Sequence, residues 1–226
     1  MLQTLVPPSF PAVQRHPLKI VALGDSLIYG FGDPLGGGWV ERLRRQWMME
    51  SETTGHVLYN LGIRGNRVAQ VSDRLENEFR QRGELRHNSP DAILLSVGVN
   101  DSARLGRPHG RLFTAKDVFA HQIEELLDQA NQLCSVFFIG MVPVDETKMP
   151  FMDCFYYNHQ DQYLYKEITR LACEARNIPY LDIFDLWTRR GDLWFRSRLC
   201  ADGLHPNVSG YESLFEDVIS WIVVDS

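Results

Sequence analysis

Short apolar runs alternate with stretches of helical periodicity along most of the chain. Residues 19–23 (Lys-Ile-Val-Ala-Leu) read as a buried strand that the following glycine ends. Trp39, Val40, Leu43 and Trp47 share one face of a helix expected over residues 38–50. A short strand over 57–60 leads into a glycine-rich turn, 62–65, and Val68, Val71, Leu75 and Phe79 mark the buried stripe of a helix over 66–82. Residues 92–97 (Ala-Ile-Leu-Leu-Ser-Val) are apolar at consecutive positions, as a central parallel strand covered on both faces must be. Further helices are expected over 115–133, 160–176 and 207–224, further strands over 135–139 and 180–184, and an aromatic-rich loop over 149–157. Five strands joined by helices of this length predict an α/β fold, a doubly wound parallel sheet in three α/β/α layers. Ligands of such sheets sit beyond the carboxyl ends of the strands, where strand order reverses. The loops after Leu23, Asn60, Val97 and Ile139 lie at that edge, so chemistry is sought there.

Composition narrows the classes. The chain has 226 residues, enough for one sizeable core. Residues 18–226 are expected to form one domain and residues 1–17, broken by Pro7, Pro8 and Pro11, an irregular arm. A net charge of −6 argues against a nucleic-acid partner, which needs a basic face. No apolar run approaches the roughly 18 residues of a membrane span, and the N-terminus lacks the order of a signal peptide, so a cytoplasmic protein is expected. Cys134, Cys154, Cys173 and Cys200 form no C-x-x-C pair and are expected to be reduced thiols, with neither a disulfide framework nor a zinc site.

Four short segments carry candidate chemistry. The first strand ends Gly24-Asp25-Ser26-Leu27, which places a serine hydroxyl at the crevice, although Asp and Ser are also ordinary turn and cap residues. Asp25 reads as a side chain bonded to the turn backbone rather than as an extra acid. The third strand ends Gly98-Val99-Asn100-Asp101, where Asn100 is either an oxyanion donor or a turn residue. Gly62 offers an unobstructed backbone N–H or is simply a turn glycine. In Asp202-Gly203-Leu204-His205-Pro206-Asn207 a carboxylate three residues before a histidine can hold the imidazole in the tautomer whose other nitrogen accepts a proton.

Several motif classes fail. Ser26 is followed by Leu27 and Ile28, so the second glycine of G-x-S-x-G is missing. Gly30 and Gly32 are followed by Leu35 where a dinucleotide fingerprint needs its third glycine, and no G-K-[ST] follows Gly36-Gly37-Gly38. No H-E-x-x-H is present, and neither metal nor cofactor is expected.

In order and position the four segments resemble the motif blocks of the SGNH (GDSL-type) hydrolase superfamily, over nearly the whole chain from Gly24 to Asn207. The resemblance implies a flavodoxin-like SGNH fold and a serine esterase. It implies Ser26 as nucleophile, His205 as base and Asp202 as its orienter, with an oxyanion hole formed by the Ser26 backbone N–H, Gly62 and Asn100. The expected substrate is a small-molecule acyl ester. Similar proteins act on short esters, acetylated sugars, thioesters or lysophospholipids, and the absence of an evident apolar lid favours acetyl to hexanoyl over palmitoyl groups. A non-catalytic small-molecule binding domain is the alternative of a different class. Arg104, Arg107 and Arg111 read as a solvated loop or as contacts for an anionic substrate. Phe151, Phe155, Tyr156 and Tyr157 read equally as an acyl pocket or as core.

Overall fold

The computed structural model describes residues 18–50, 55–82 and 89–222. The expected arm over 1–17 and the end of the last predicted helix lie outside them. In chain order, β1 (Lys19–Gly24) runs into a one-turn helix α1 (Ser26–Tyr29) and then α2 (Gly38–Glu50). Strand β2 (Val57–Gly62) leads to α3 (Val68–Gln81), and β3 (Ala92–Ser96) leads to a 3-10 turn at Asn100–Ser102, a short β4 (Arg104–Leu105) and α4 (Lys116–Leu133). There follow β5 (Ser135–Ile139), β6 (Phe155–Tyr156), α5 (His159–Glu174), β7 (Tyr180–Leu181), α6 (Ile183–Arg190), α7 (Asp192–Arg196) and α8 (Val208–Trp221).

The main sheet is parallel with strand order β2-β1-β3-β5-β7. The order reverses between β1 and β3, so the crevice opens where β1 delivers Ser26 and β3 delivers Asn100. Alternation of side chains along the central strands divides the core in two. Val21, Leu23, Ile93 and Leu95 pack with the stripe Val68, Val71, Leu75 and Phe79 of α3 and with α4 and α5. Ile20, Ala22, Ala92 and Leu94 face the opposite layer, where Trp39, Val40, Leu43 and Trp47 of α2 meet Tyr211, Leu214 and Val218 of α8. All four cysteines are free thiols. No helix among the described residues is long and apolar enough to cross a membrane.

The strand expected over 180–184 is shorter than its sequence suggests. Only Tyr180 and Leu181 pair with β5, and the Asp182 carboxylate then accepts the backbone N–H of Asp185 at 3.0 Å and starts α6. A capping aspartate outweighs the β-propensity of Ile183 and Phe184, because the first turn of a helix needs acceptors for its free N–H groups. The same aspartate meets the buried Lys166 ammonium at 2.7 Å, which also contacts Asp185 at 2.8 Å and Glu167 at 2.9 Å. This cluster ties α5 to α6.

Strand β1 lies close enough to β3 that a Cβ on Gly24 would sit 1.9 Å from the Ser96 carbonyl oxygen and 2.7 Å from the Ile28 side chain. Gly24→Ala is expected to lower stability by at least about 1–3 kcal/mol, since the obstruction is backbone that cannot swing aside. Urea denaturation checks this, and an unchanged midpoint contradicts the close approach.

Candidate active site

Ser26 opens α1 and is buried. Asp25 caps that turn through an Oδ1 that accepts the Leu27 N–H at 2.9 Å. The Tyr211 hydroxyl donates to the Ser26 carbonyl at 3.2 Å, so α8 braces the turn from below. His205 arrives from the loop before α8. Its Nε2 lies 3.0 Å from Ser26 Oγ and its Nδ1 lies 2.7 Å from Asp202 Oδ2. The other Asp202 oxygen accepts the backbone N–H groups of Leu204 at 2.9 Å and His205 at 3.0 Å. With Nδ1–H directed at a carboxylate, Nε2 is left to accept the serine proton.

Burial pushes the Asp202 carboxyl upward. The hydrogen bond from the His205 ring, those backbone N–H groups and the imidazole charge outweigh it, and the carboxyl lies below its ordinary range. Phe31 packs edge-on against the imidazole with ring centroids 4.6 Å apart, and Phe151 approaches at 5.7 Å. The two rings screen the histidine from water. Beside Phe31 opens a cleft of about 590 Å³ lined by Tyr29, Phe31, Asn60 and Gly62 among others.

The two further residues that the motifs single out hang on the same strand ends. Gly62 pairs in register with Gly24, and its N–H donates to Asn60 Oδ1 at 3.1 Å. Asn100 donates from Nδ2 to the Asn66 carbonyl at 2.9 Å and, more weakly, to Asp25 Oδ2 at 3.4 Å. Its Oδ1 faces the Tyr157 hydroxyl at 3.5 Å. Asn66 is itself held by Arg74, whose guanidinium bridges Asn66 Oδ1 and the Gly24 carbonyl.

Two buried carboxylates underlie this region. Burial pushes Asp25 up to about 7, with the neighbouring Asp101 adding to the effect and the Leu27 N–H opposing it. Burial likewise raises Asp101 to about 6, against hydrogen bonds from the Thr114 hydroxyl and the Val68 N–H and the charge of Arg67. No motif singles out Asp101, Arg74 or Phe31 as part of this arrangement, although Asp101 stands next to Asn100.

One arginine of the following loop is engaged elsewhere. Arg104 forms a two-pronged ion pair with the buried Asp161, at 2.5 and 2.9 Å. It thereby locks β4 onto α5, while Arg107 and Arg111 are exposed. Of the aromatic stretch, Phe155 and Tyr156 form β6 against β4, Tyr157 is core, and Phe151 alone reaches His205. Among the described residues no group of three or more His, Cys, Asp or Glu side chains gathers closely enough to hold a metal ion.

A model of the GDSL-like lipase/acylhydrolase family matches residues 22–212 of the chain. A lipase/acylhydrolase from Enterococcus faecalis has a similar structure, with a TM-score of 0.71 and 22% identity, over 90% of this chain and 94% of that one. Axe2, an acetylxylan esterase from Geobacillus stearothermophilus, is similar with a TM-score of 0.70 and 18% identity, over 92% and 97% of the two chains. The uncharacterized protein YpmR of Bacillus subtilis (strain 168) is 24% identical over 222 residues, 90% of this chain and 81% of that one.

The raised carboxyl of Asp25 has a consequence for stability. Between its ordinary value of 3.8 and about 7, the folded protein keeps a proton that the unfolded chain has released. Stability from this group therefore falls as pH rises through that window. Asp25→Asn keeps an acceptor for Leu27 and does not titrate. Its melting temperature, relative to the wild type, should climb between about pH 4 and about pH 8; a constant difference contradicts the raised carboxyl.

Proposed function

Because the chain belongs to the GDSL-like lipase/acylhydrolase family, we propose that it is a serine hydrolase cleaving carboxylic esters of small, short-acyl substrates through an acyl-enzyme on Ser26. The observation that carries this reading is the unbroken hydrogen-bonded line from Asp202 through His205 to Ser26, at 2.7 and 3.0 Å. As Ser26 Oγ attacks the ester carbonyl, His205 Nε2 takes the hydroxyl proton and Asp202 stabilises the imidazolium. The carbonyl oxygen gains charge and accepts hydrogen bonds from the Ser26 and Gly62 N–H groups and the Asn100 amide. Collapse expels the alcohol, which takes the proton from His205. Water then repeats the sequence on the acyl-serine and releases the acid.

The acetylxylan esterase activity named for one structural relative supports a small acyl group. Cytoplasmic location and a single domain over 18–226 belong to this reading as well. A binding domain without catalysis would leave Ser26 unreactive, so labelling by a fluorophosphonate separates the two classes.

Ser26→Ala should fold with an unchanged melting temperature yet lose hydrolysis of 4-nitrophenyl acetate by several orders of magnitude. A folded variant that keeps most of its activity sinks the mechanism. Asn100→Ala should lower kcat by about 10²–10³, or about 2.7–4 kcal/mol, with KM little changed, because its donor serves the transition state more than the bound ester. Melting temperature and kcat measured on one sample decide the matter: a stable variant at full speed removes Asn100 from the reaction.

A further inference from the structure

The loop between β2 and α3 carries two arginines beside the candidate active site, and their environments differ. Arg67 stacks over Phe113 at 4.4 Å and donates to the Thr114 hydroxyl at 3.4 Å. Arg64 is exposed, and its guanidinium carbon lies 3.7 Å from the centroid of Phe31, the ring packed against His205. Among the described residues Arg64 has no ion pair and no hydrogen bond to a carboxylate. The acids on the neighbouring cleft wall are engaged elsewhere. Asp33 is held by Arg42 and by the N–H groups of Gly36 and Gly38, and Glu41 by Arg44.

An aromatic ring covers one face of a guanidinium and leaves the N–H groups along its edge free, a fork that matches a carboxylate or phosphate. Stacking on Phe31 also restrains an otherwise loose side chain, so less freedom is lost when an anion arrives. The chain as a whole carries −6, so its general field repels anions and only a local cation can select for one. One ring separates Arg64 from His205. An anion held there would lie one aromatic ring from the histidine beside Ser26.

We propose that Arg64 reads an anionic group on the ester that Ser26 opens, so that the substrates are short-acyl esters bearing a carboxylate or phosphate. This rests on the esterase reading above. The anion can sit on the acyl or on the alcohol side, and two matched pairs of esters distinguish these. The acyl pair is mono-4-nitrophenyl adipate against 4-nitrophenyl hexanoate, and the alcohol pair is 4-acetoxybenzoate against 4-methylphenyl acetate.

In at least one pair the wild type should have the higher kcat/KM on the charged member, and added salt should shrink that preference. Arg64→Gln should lower the charged-to-neutral ratio by about ten- to hundredfold, and Arg64→Lys should fall between, since it keeps the charge and loses the fork. Preference for the neutral member in both pairs, or an unchanged ratio in Arg64→Gln, overturns the proposal. Turnover of the neutral esters without a charge preference removes only this inference. Failure of the wild type to hydrolyse any of the four esters removes the esterase reading, and this proposal with it.

Discussion

Close backbone approach at Gly24 is the constraint on which the candidate site depends. β1 lies between β2 and β3, with Gly24 in register with Gly62 on one side and Ser96 on the other. Its carbonyl accepts the Ile63 N–H at 3.0 Å and an Arg74 N–H at 2.9 Å, so the strand end is pinned from two directions. Gly62 has no room for a side chain either, because a Cβ there would lie 2.2 Å from the Tyr29 nitrogen. The turn of α1 therefore nests directly on the end of β2. Ser26 owes its position to two missing side chains on adjacent strands as much as to its own bonds.

Three carboxylates near this turn are set apart by their surroundings. Asp202 meets an imidazole and two backbone N–H groups and is favoured as the anion. Asp25 and Asp101 are fully buried near one another and are pushed toward their neutral forms. Each of the buried pair nonetheless does a structural job. Asp25 caps α1, and Asp101 accepts the Val68 N–H at 3.1 Å and so ties the start of α3 to the end of β3. Groups of one chemical type are pulled apart in ionisation by burial and partners, which favours the anion at Asp202 beside His205 while the others act as caps.

The parts legible in the sequence are those with a strong period or a dense local motif. The continuous apolar run of β3 and the stripe Val68, Val71, Leu75, Phe79 reflect burial on a sheet and on a helix face, and both survive folding as read. The Asp202–His205 pair was legible because both partners lie in one loop and their bond is local. The contacts that escaped notice join distant segments. Arg104 met Asp161, not solvent or substrate, because α5 folds across its loop. The ribbon of β4 and β6 pairs residues 104–105 with residues 155–156, and strands that short leave no period to read. Residues 180–184 read as a strand from their apolar run, but the capping power of Asp182 turns the chain into a helix after Leu181.

The donors proposed for the oxyanion are not idle before substrate arrives. Gly62 N–H is bonded to Asn60 Oδ1, and the Asn100 amide to the Asn66 carbonyl and Asp25. Exchanging such a bond for one to a neutral ester carbonyl gains little, because one ordinary hydrogen bond replaces another. The exchange becomes favourable as charge accumulates on the carbonyl oxygen, since a bond to an anion is about twice as strong as a neutral one. In the proposed mechanism, donors occupied at rest would contribute little to binding the ester and much to its transition state, which is the condition for raising kcat rather than only lowering KM. The Asn66 carbonyl holds one amide hydrogen of Asn100 while the other makes only the long contact to Asp25. Arg74 holds Asn66 in place, so the amide plane is set before the reaction begins and little reorganisation accompanies the step.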